Sequence, residues 1–315
     1  MSALHALARR VAALWGRVVA FVQVREDATS LAVCRVVVCL TVLCHFGRNL
    51  LSGAGAFMWA RVDQGGVGRG DMWLAWIGGA TPFNVQLVAG LCCAAAFFAC
   101  IGLFTRPALV VTWITFRAIS MLNDEAKGAY DALLINELFL LMLSGCGRAL
   151  SVDARAFPRA DDTVPRWPRM LILLQIGLLY GGSAVMKASS GWVPGGDASA
   201  LWYILHQPMW TRFDVDTVPG WMFPITQVAT TISWCFEATG PLFALGTFLN
   251  ERRPRRWLTR ACVAWLAVGV AMHIGIEVTL EVGAFTGASL GLYAAAIRPE
   301  RVRAFMERCI RRCSR

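Results

Sequence analysis

Lysine is almost absent from this sequence. Of its 30 basic residues only Lys127 and Lys187 are lysines, and the rest are arginines. Charge of either sign is scarce: Asp, Glu, Lys and Arg make up 16% of the chain, against roughly 25% in an ordinary soluble domain. Apolar residues make up 57%. One soluble core of this size cannot hide that much apolar surface, whereas lipid can cover it. The apolar runs do not alternate with period two, which excludes barrel strands and leaves helices as the structure that satisfies its own backbone in hydrocarbon. The eleven cysteines include no C-x-x-C pair and no zinc spacing. Most fall in or beside apolar runs and read as small packing residues. His-Glu-x-x-His, a phosphate loop, a nucleophile elbow and a dinucleotide fingerprint are all lacking. The net charge of +10 is not a nucleic-acid signal. The arginines cluster between apolar runs, without the interleaved aromatic–basic stripe that binds single strands.

What is present is a series of long apolar runs. A transmembrane helix takes about 20 mostly apolar residues, and the runs predict an all-α, polytopic membrane bundle of about eight spans: 31–51, 84–104, 107–122, 131–146, 168–188, 222–249, 257–278 and 280–297. The third, fourth and last are short enough to be tilted partners or partly re-entrant. The sixth is long enough to break, with Pro224 and Pro241 as places to kink it. Basic residues test this layout, because they gather on the cytoplasmic side. Four precede the first span, one follows the second, five the fourth, five the sixth and seven the last. These 22 include Arg159, Arg255 and Arg315, against five in the alternate connections. Both termini are therefore expected in the cytoplasm and the protein in a cell membrane, a bacterial inner membrane being the natural one.

Three segments divide the chain. Residues 1–27 read as an amphipathic interfacial helix rather than a signal peptide, because Arg17 interrupts any apolar h-region and no cleavage site follows. Residues 28–298 form the transmembrane domain. Residues 299–315 form a basic cytoplasmic tail suited to anionic lipid. Two outer connections, 52–83 and 189–221, are rich in tryptophan, as an aromatic belt or as a cap over an outward-facing site.

A charge at mid-membrane costs about 2.5–3.5 kcal/mol even on the lenient insertion scale and is a functional candidate by default. The candidates are Arg35, His45, Arg48, Arg117, Asp131, Glu137, Lys187, Glu237, His273, Glu277 and Glu281, each with an ion pair or a snorkelling side chain as its bland explanation. Lys187 stands out. In a chain that uses arginine for nearly every cation, a lysine at a span end suggests an amine that can shed its proton when buried and act as a base. That role calls for an apolar pocket without a tight Asp or Glu partner. Tyr180 and Ser183 lie on the same helical face, and Gly177, Gly181, Ala184 and Ala188 form a smooth seam for a neighbouring helix. His273 and Glu277, four apart, read as a hydrogen-bonded interior pair; further ligands for a metal are lacking.

The segment Gly181-Gly182-Ser183-Ala184-Val185-Met186-Lys187, followed by Gly191-Trp192, Gly195, Ala198 and Leu201-Trp202-Tyr203, resembles the signature of the HTTM (horizontally transferred transmembrane) family. That family includes the membrane domain of vitamin K-dependent γ-carboxylase. Asn123, Gly128 and Asp131, then Ser151-Val152-Asp153-Ala154, then Glu237 with Gly240-Pro241, and His273 with Gly283 and Phe285, agree with it in order across residues 28–298. The resemblance implies a pocket for a reduced quinone, such as vitamin K hydroquinone, in which Lys187 is the base; Tyr180, Ser183, Trp192, Asp131, Glu237, His273 and Glu277 are its candidate lining. The carboxylase has a functional histidine where this chain has Tyr130 and Asp131, and a large extracytoplasmic part where this chain has the 18 residues after position 297. The implied function is a carboxylase-like enzyme acting on a quinol or other lipid-soluble substrate. The alternative is a non-catalytic membrane partner or small-solute carrier that keeps the fold. A carrier calls for broken helices paired by an internal repeat, and the sequence contains no such repeat.

Overall fold

The computed structural model describes residues 2–158 and 161–313; Arg159 and Arg315, counted above among the cytoplasmic basic residues, lie outside the described residues. The chain runs α1 (Ser2–Val22), β1 (Arg25–Asp27), α2 (Thr29–Leu51), α3 (Ala54–Trp59), α4 (Pro82–Ile101), α5 (Thr105–Ser120), α6 (Ala129–Ser144), α7 (Val152–Ala156), β2 (Thr163–Pro165), α8 (Trp167–Met186), α9 (Ala200–Leu205), α10 (Phe223–Ala238), α11 (Gly240–Arg252), α12 (Arg256–Thr279), α13 (Phe285–Ala296) and α14 (Pro299–Cys313). The two strands pair antiparallel, with Glu26 opposite Val164. Among the described residues four helices, α2, α4, α8 and α12, are long and apolar enough to cross a membrane.

The short spans are short helices. α13 has 12 residues, about 18 Å at 1.5 Å per residue, against a hydrocarbon core of about 30 Å. The sixth apolar run is two helices. α10 ends at Ala238, Thr239 lies between, and Pro241 falls in the first turn of α11, where its missing N–H costs nothing. Pro224 does not kink this segment. It sits in the first turn of α10 and starts the helix for the same reason.

The small-residue face of α8 receives the start of α11. A methyl on Gly181 would meet Pro241 at 2.7 Å, one on Gly177 would meet Ala244 at 2.9 Å, and one on Gly240 would meet Tyr180 at 2.6 Å. This close approach brings the ends of α8 and α10 side by side.

One intramembrane charge, Arg35, ties helix ends together at a junction that Ser151 and Asp153 also hold. Arg35 of α2 is fully buried and donates to the carbonyl oxygens of Cys146 (2.9 Å) and Leu150 (2.5 Å), with longer contacts to Ala149 and Cys100. It reaches carbonyls in the last turn of α4 and in the connection that follows α6. Ser151 and Asp153 serve the same junction. Ser151 accepts from the Ala154 N–H at 2.9 Å and so starts α7. Asp153 accepts from the Phe104 N–H (2.9 Å), the Thr105 N–H (2.7 Å) and the Thr105 hydroxyl (2.7 Å), which anchors the first turn of α5. Partial burial pushes the Asp153 carboxyl up, but the hydrogen bonds from Thr105 and Phe104 outweigh it and hold the group below its ordinary range.

Candidate functional site

The last turn of α8 and the last turn of α10 each present a charged side chain to the other. Lys187 Nζ lies 2.6 Å from Glu237 Oε1, and the Ser183 hydroxyl, one turn earlier on α8, donates to Glu237 Oε2 at 3.0 Å. Glu237 is nearly enclosed, with 8% of its side chain exposed, whereas Lys187 keeps 30%. The indole ring of Trp192, from the connection after α8, lies 4.7 Å from the Lys187 ammonium, a cation–π distance. The Trp234 indole N–H donates to the Ala184 carbonyl at 3.1 Å and pins α10 to α8 just inside the ion pair. Val185 and Met186, beside Lys187, are exposed apolar side chains. The cation is therefore held between a carboxylate and an aromatic face.

The pairing overturns one expectation. Lys187 does have a tight carboxylate partner. Glu237 is 50 residues away in sequence, and only the α8–α11 seam and the break after Ala238 bring it opposite the amine.

A second polar group sits on the same face of α8, toward the middle of the helix. The Tyr180 hydroxyl is hydrogen-bonded to His273 Nε2 at 2.8 Å and to the Tyr293 hydroxyl. All three residues are buried. Phe236 and Phe243 both stack on Trp265, each with ring centroids 4.1 Å apart, and Phe236 and Trp265 meet the Tyr180 ring edge-on. Gly269 leaves the space for it: a methyl there would meet the Tyr293 hydroxyl at 2.6 Å and Phe236 at 2.7 Å. Tyr293 is a site residue that the sequence reading missed. The available signal was its rarity, since the chain has only four tyrosines and two of them meet here.

The remaining candidates go elsewhere. His273 and Glu277 do not form a pair. His273 turns to Tyr180, while Glu277, a turn nearer the end of α12 and 41% exposed, meets Arg212 at 2.9 Å. Arg212 also meets Glu281 at 3.0 Å. Spacing of four residues puts two side chains on one face but does not decide what covers that face. Asp131 accepts from the Gly128 N–H at 2.8 Å and caps the start of α6. His45 packs its ring edge-on to Tyr130, centroids 5.2 Å apart. Glu137 is fully buried on α6 beside Gly291 of α13, and neither carboxylate oxygen has a hydrogen-bond partner among the described residues. Among the described residues no cluster of His, Cys, Asp and Glu is placed to hold a metal ion. A cavity of about 490 Å³ lies at another place, between α5, α6 and α7, lined in part by Arg106, Arg148 and Asp153.

The sequence reading also passed over a buried ionic cluster at the opposite end of α8. Arg169, fully enclosed, forks onto Glu26 through Nε (2.7 Å) and Nη2 (2.8 Å) and reaches Glu251 at 3.0 Å. Arg166 meets Glu26 at 3.1 Å and Arg298 meets Glu251 at 3.4 Å. Five charges thus tie β1, α8, α11 and the start of α14 together. Their positions at span ends made them look like ordinary loop charges.

No curated protein and no solved structure matches this chain. A family model, described as the HTTM domain, matches residues 24–249. The match includes Tyr180, Ser183, Lys187, Trp192 and Glu237 and stops short of His273 and Tyr293. With most of its length matched by that model and its long apolar helices in place, the chain is a membrane protein that belongs to the HTTM family.

Proposed function

We propose that this protein is an eight-span membrane enzyme, both termini cytoplasmic, that removes a proton from a quinol-like, lipid-soluble substrate at the Lys187–Glu237 site. The observation that carries the reading is the contact of Lys187 Nζ with Glu237 at 2.6 Å, under the face of Trp192. A cation needed only for topology has no use for a nearly enclosed carboxylate, a hydroxyl and an aromatic ring. The site also suits a ring: Trp192 offers an aromatic face beside the amine.

Lys187 and Glu237 divide the work. As an ion pair the two carry no net charge, which suits a low-dielectric site. Lys187 passes a proton to Glu237, and the neutral amine then takes a proton from a substrate hydroxyl. At the end Lys187 is again an ammonium, Glu237 is a neutral acid, and the substrate oxyanion has replaced the carboxylate as counter-ion of Lys187. One cation and one anion are present before and after. Ser183 and Trp192 position the pair. Reduced vitamin K would supply such a hydroxyl, as the γ-carboxylase resemblance implies, and a bacterial inner membrane would supply a related quinol.

Mass spectrometry of lipid extracts from the purified protein tests the substrate class. A quinone should be enriched over an unrelated membrane protein prepared in the same way. An extract without that enrichment would count against a quinol substrate and leave a non-catalytic membrane partner as the reading.

A further inference from the structure

Far from the Lys187 site, the turn between α11 and α12 and the start of α14 enclose a groove of about 910 Å³. Its mouth is lined by Arg255, Arg256, Arg260, Arg298 and Arg301, and no aspartate or glutamate lines it. Arg298 has Glu251 as a partner. The side chains of Arg255, Arg256, Arg260 and Arg301 form no ion pair with a carboxylate among the described residues. Four like charges converge on one groove, and among the described residues no carboxylate neutralises them there. The turn that carries them is fixed: Asn250 accepts from the Arg255 N–H at 2.9 Å and donates to the Thr259 hydroxyl at 3.0 Å.

The floor of the groove is of a different kind. Val263, Ala264 and Ala267 continue it along the exposed side of α12. From Arg256 to Ala267 the helix rises about 16 Å, roughly half of a 30 Å hydrocarbon core. Only 11% of the apolar window of α12 is buried inside the protein, against 56% for α2. A cationic mouth above a shallow apolar trough one leaflet long matches a phosphate headgroup with an acyl chain beneath it.

We infer that this groove binds one anionic glycerophospholipid, its phosphate held by Arg255, Arg256, Arg260 and Arg301 and one acyl chain lying on Val263, Ala264 and Ala267. Inorganic phosphate shares the headgroup chemistry but has no use for the apolar trough, and phosphatidylcholine shares the chains but carries no net negative charge.

The test uses the full chain in a neutral detergent, with the thermal midpoint as readout. Phosphatidylglycerol should raise the midpoint, whereas phosphatidylcholine and inorganic phosphate should not. The double variant R256Q/R260Q should lose most of the shift, since neither side chain has a carboxylate partner to disturb. R308Q/R312Q, on the far part of α14, should keep it. A267F fills the trough and leaves the arginines, and it should weaken the response to phosphatidylglycerol even if the double variant fails to fold. A full shift with inorganic phosphate alone would replace the lipid site with a free-phosphate site. An undiminished shift in R256Q/R260Q or in A267F, or an equal loss in R308Q/R312Q, would overturn the inference.

Discussion

The two ends of α8 carry buried ion pairs of opposite design. At its first turn Arg169 is fully enclosed and shared between Glu26 and Glu251. At its last turn Lys187 keeps 30% exposure and has one carboxylate, Glu237. Arginine presents a rigid fork that stays protonated, so it suits a permanent staple; lysine has a single flexible amine that can give up its proton. The Arg169 end is built to stay as it is. The Lys187 end is built from parts that can change state.

Breaking the Arg169 end should have the largest effect. Arg169→Met leaves Glu26 and Glu251 enclosed without their shared cation, and losing one partner of a buried pair costs about 3–5 kcal/mol. The expected outcome is a large drop in the thermal midpoint, or loss of folded protein. A midpoint equal to that of the parent chain would show that the cluster is not a staple.

Next in size is the seam that joins the two regions. Gly181→Leu drives a side chain into Pro241, which already stands 2.7 Å from where a methyl would be. Overpacking of this kind costs about 1–3 kcal/mol. Because the seam also sets Glu237 opposite Lys187, this variant should lose stability and site geometry together, read as a lowered midpoint in detergent.

Asp153 gives a smaller effect with a defined pH dependence. Its carboxyl is held below the ordinary range, so its contribution is present in full at neutral pH. That contribution is lost as the pH falls through the depressed value, below about 4. Asp153→Asn should cost about 1 kcal/mol at pH 7 and should remove that part of the acid sensitivity. Equal losses in parent and variant between pH 5 and pH 2 would assign the acid sensitivity to other groups.

How much of this was legible depends on the length scale of each signal. Long apolar runs exposed α2, α4, α8 and α12, because lipid crossing is a property of one contiguous segment. Pro241 marked the break after Ala238 for the same local reason, while Pro224 misled because a proline one residue inside a run and one at its start look alike. Lys187 was visible through the bias against lysine. Its partner Glu237 was flagged only as a charge in a span, since nothing local says which helix a carboxylate will face. Tyr293 went unnoticed because a tyrosine amid alanine and glycine reads as packing. Glu26, Arg169 and Glu251 went unnoticed because, at span ends, they read as solvated.

The conservative replacement at the Lys187 end separates the two designs most directly. Lys187→Arg keeps the charge next to Glu237 and removes the capacity to shed a proton. It should change the stability by no more than about 0.5 kcal/mol. Because oxygen oxidises a quinol anion far faster than the neutral quinol, oxygen uptake on adding a reduced naphthoquinone, measured on parent and variant with matched midpoints, reads the deprotonation. The account predicts quinol-dependent uptake in the parent and its loss in Lys187→Arg; undiminished uptake in the variant would contradict it.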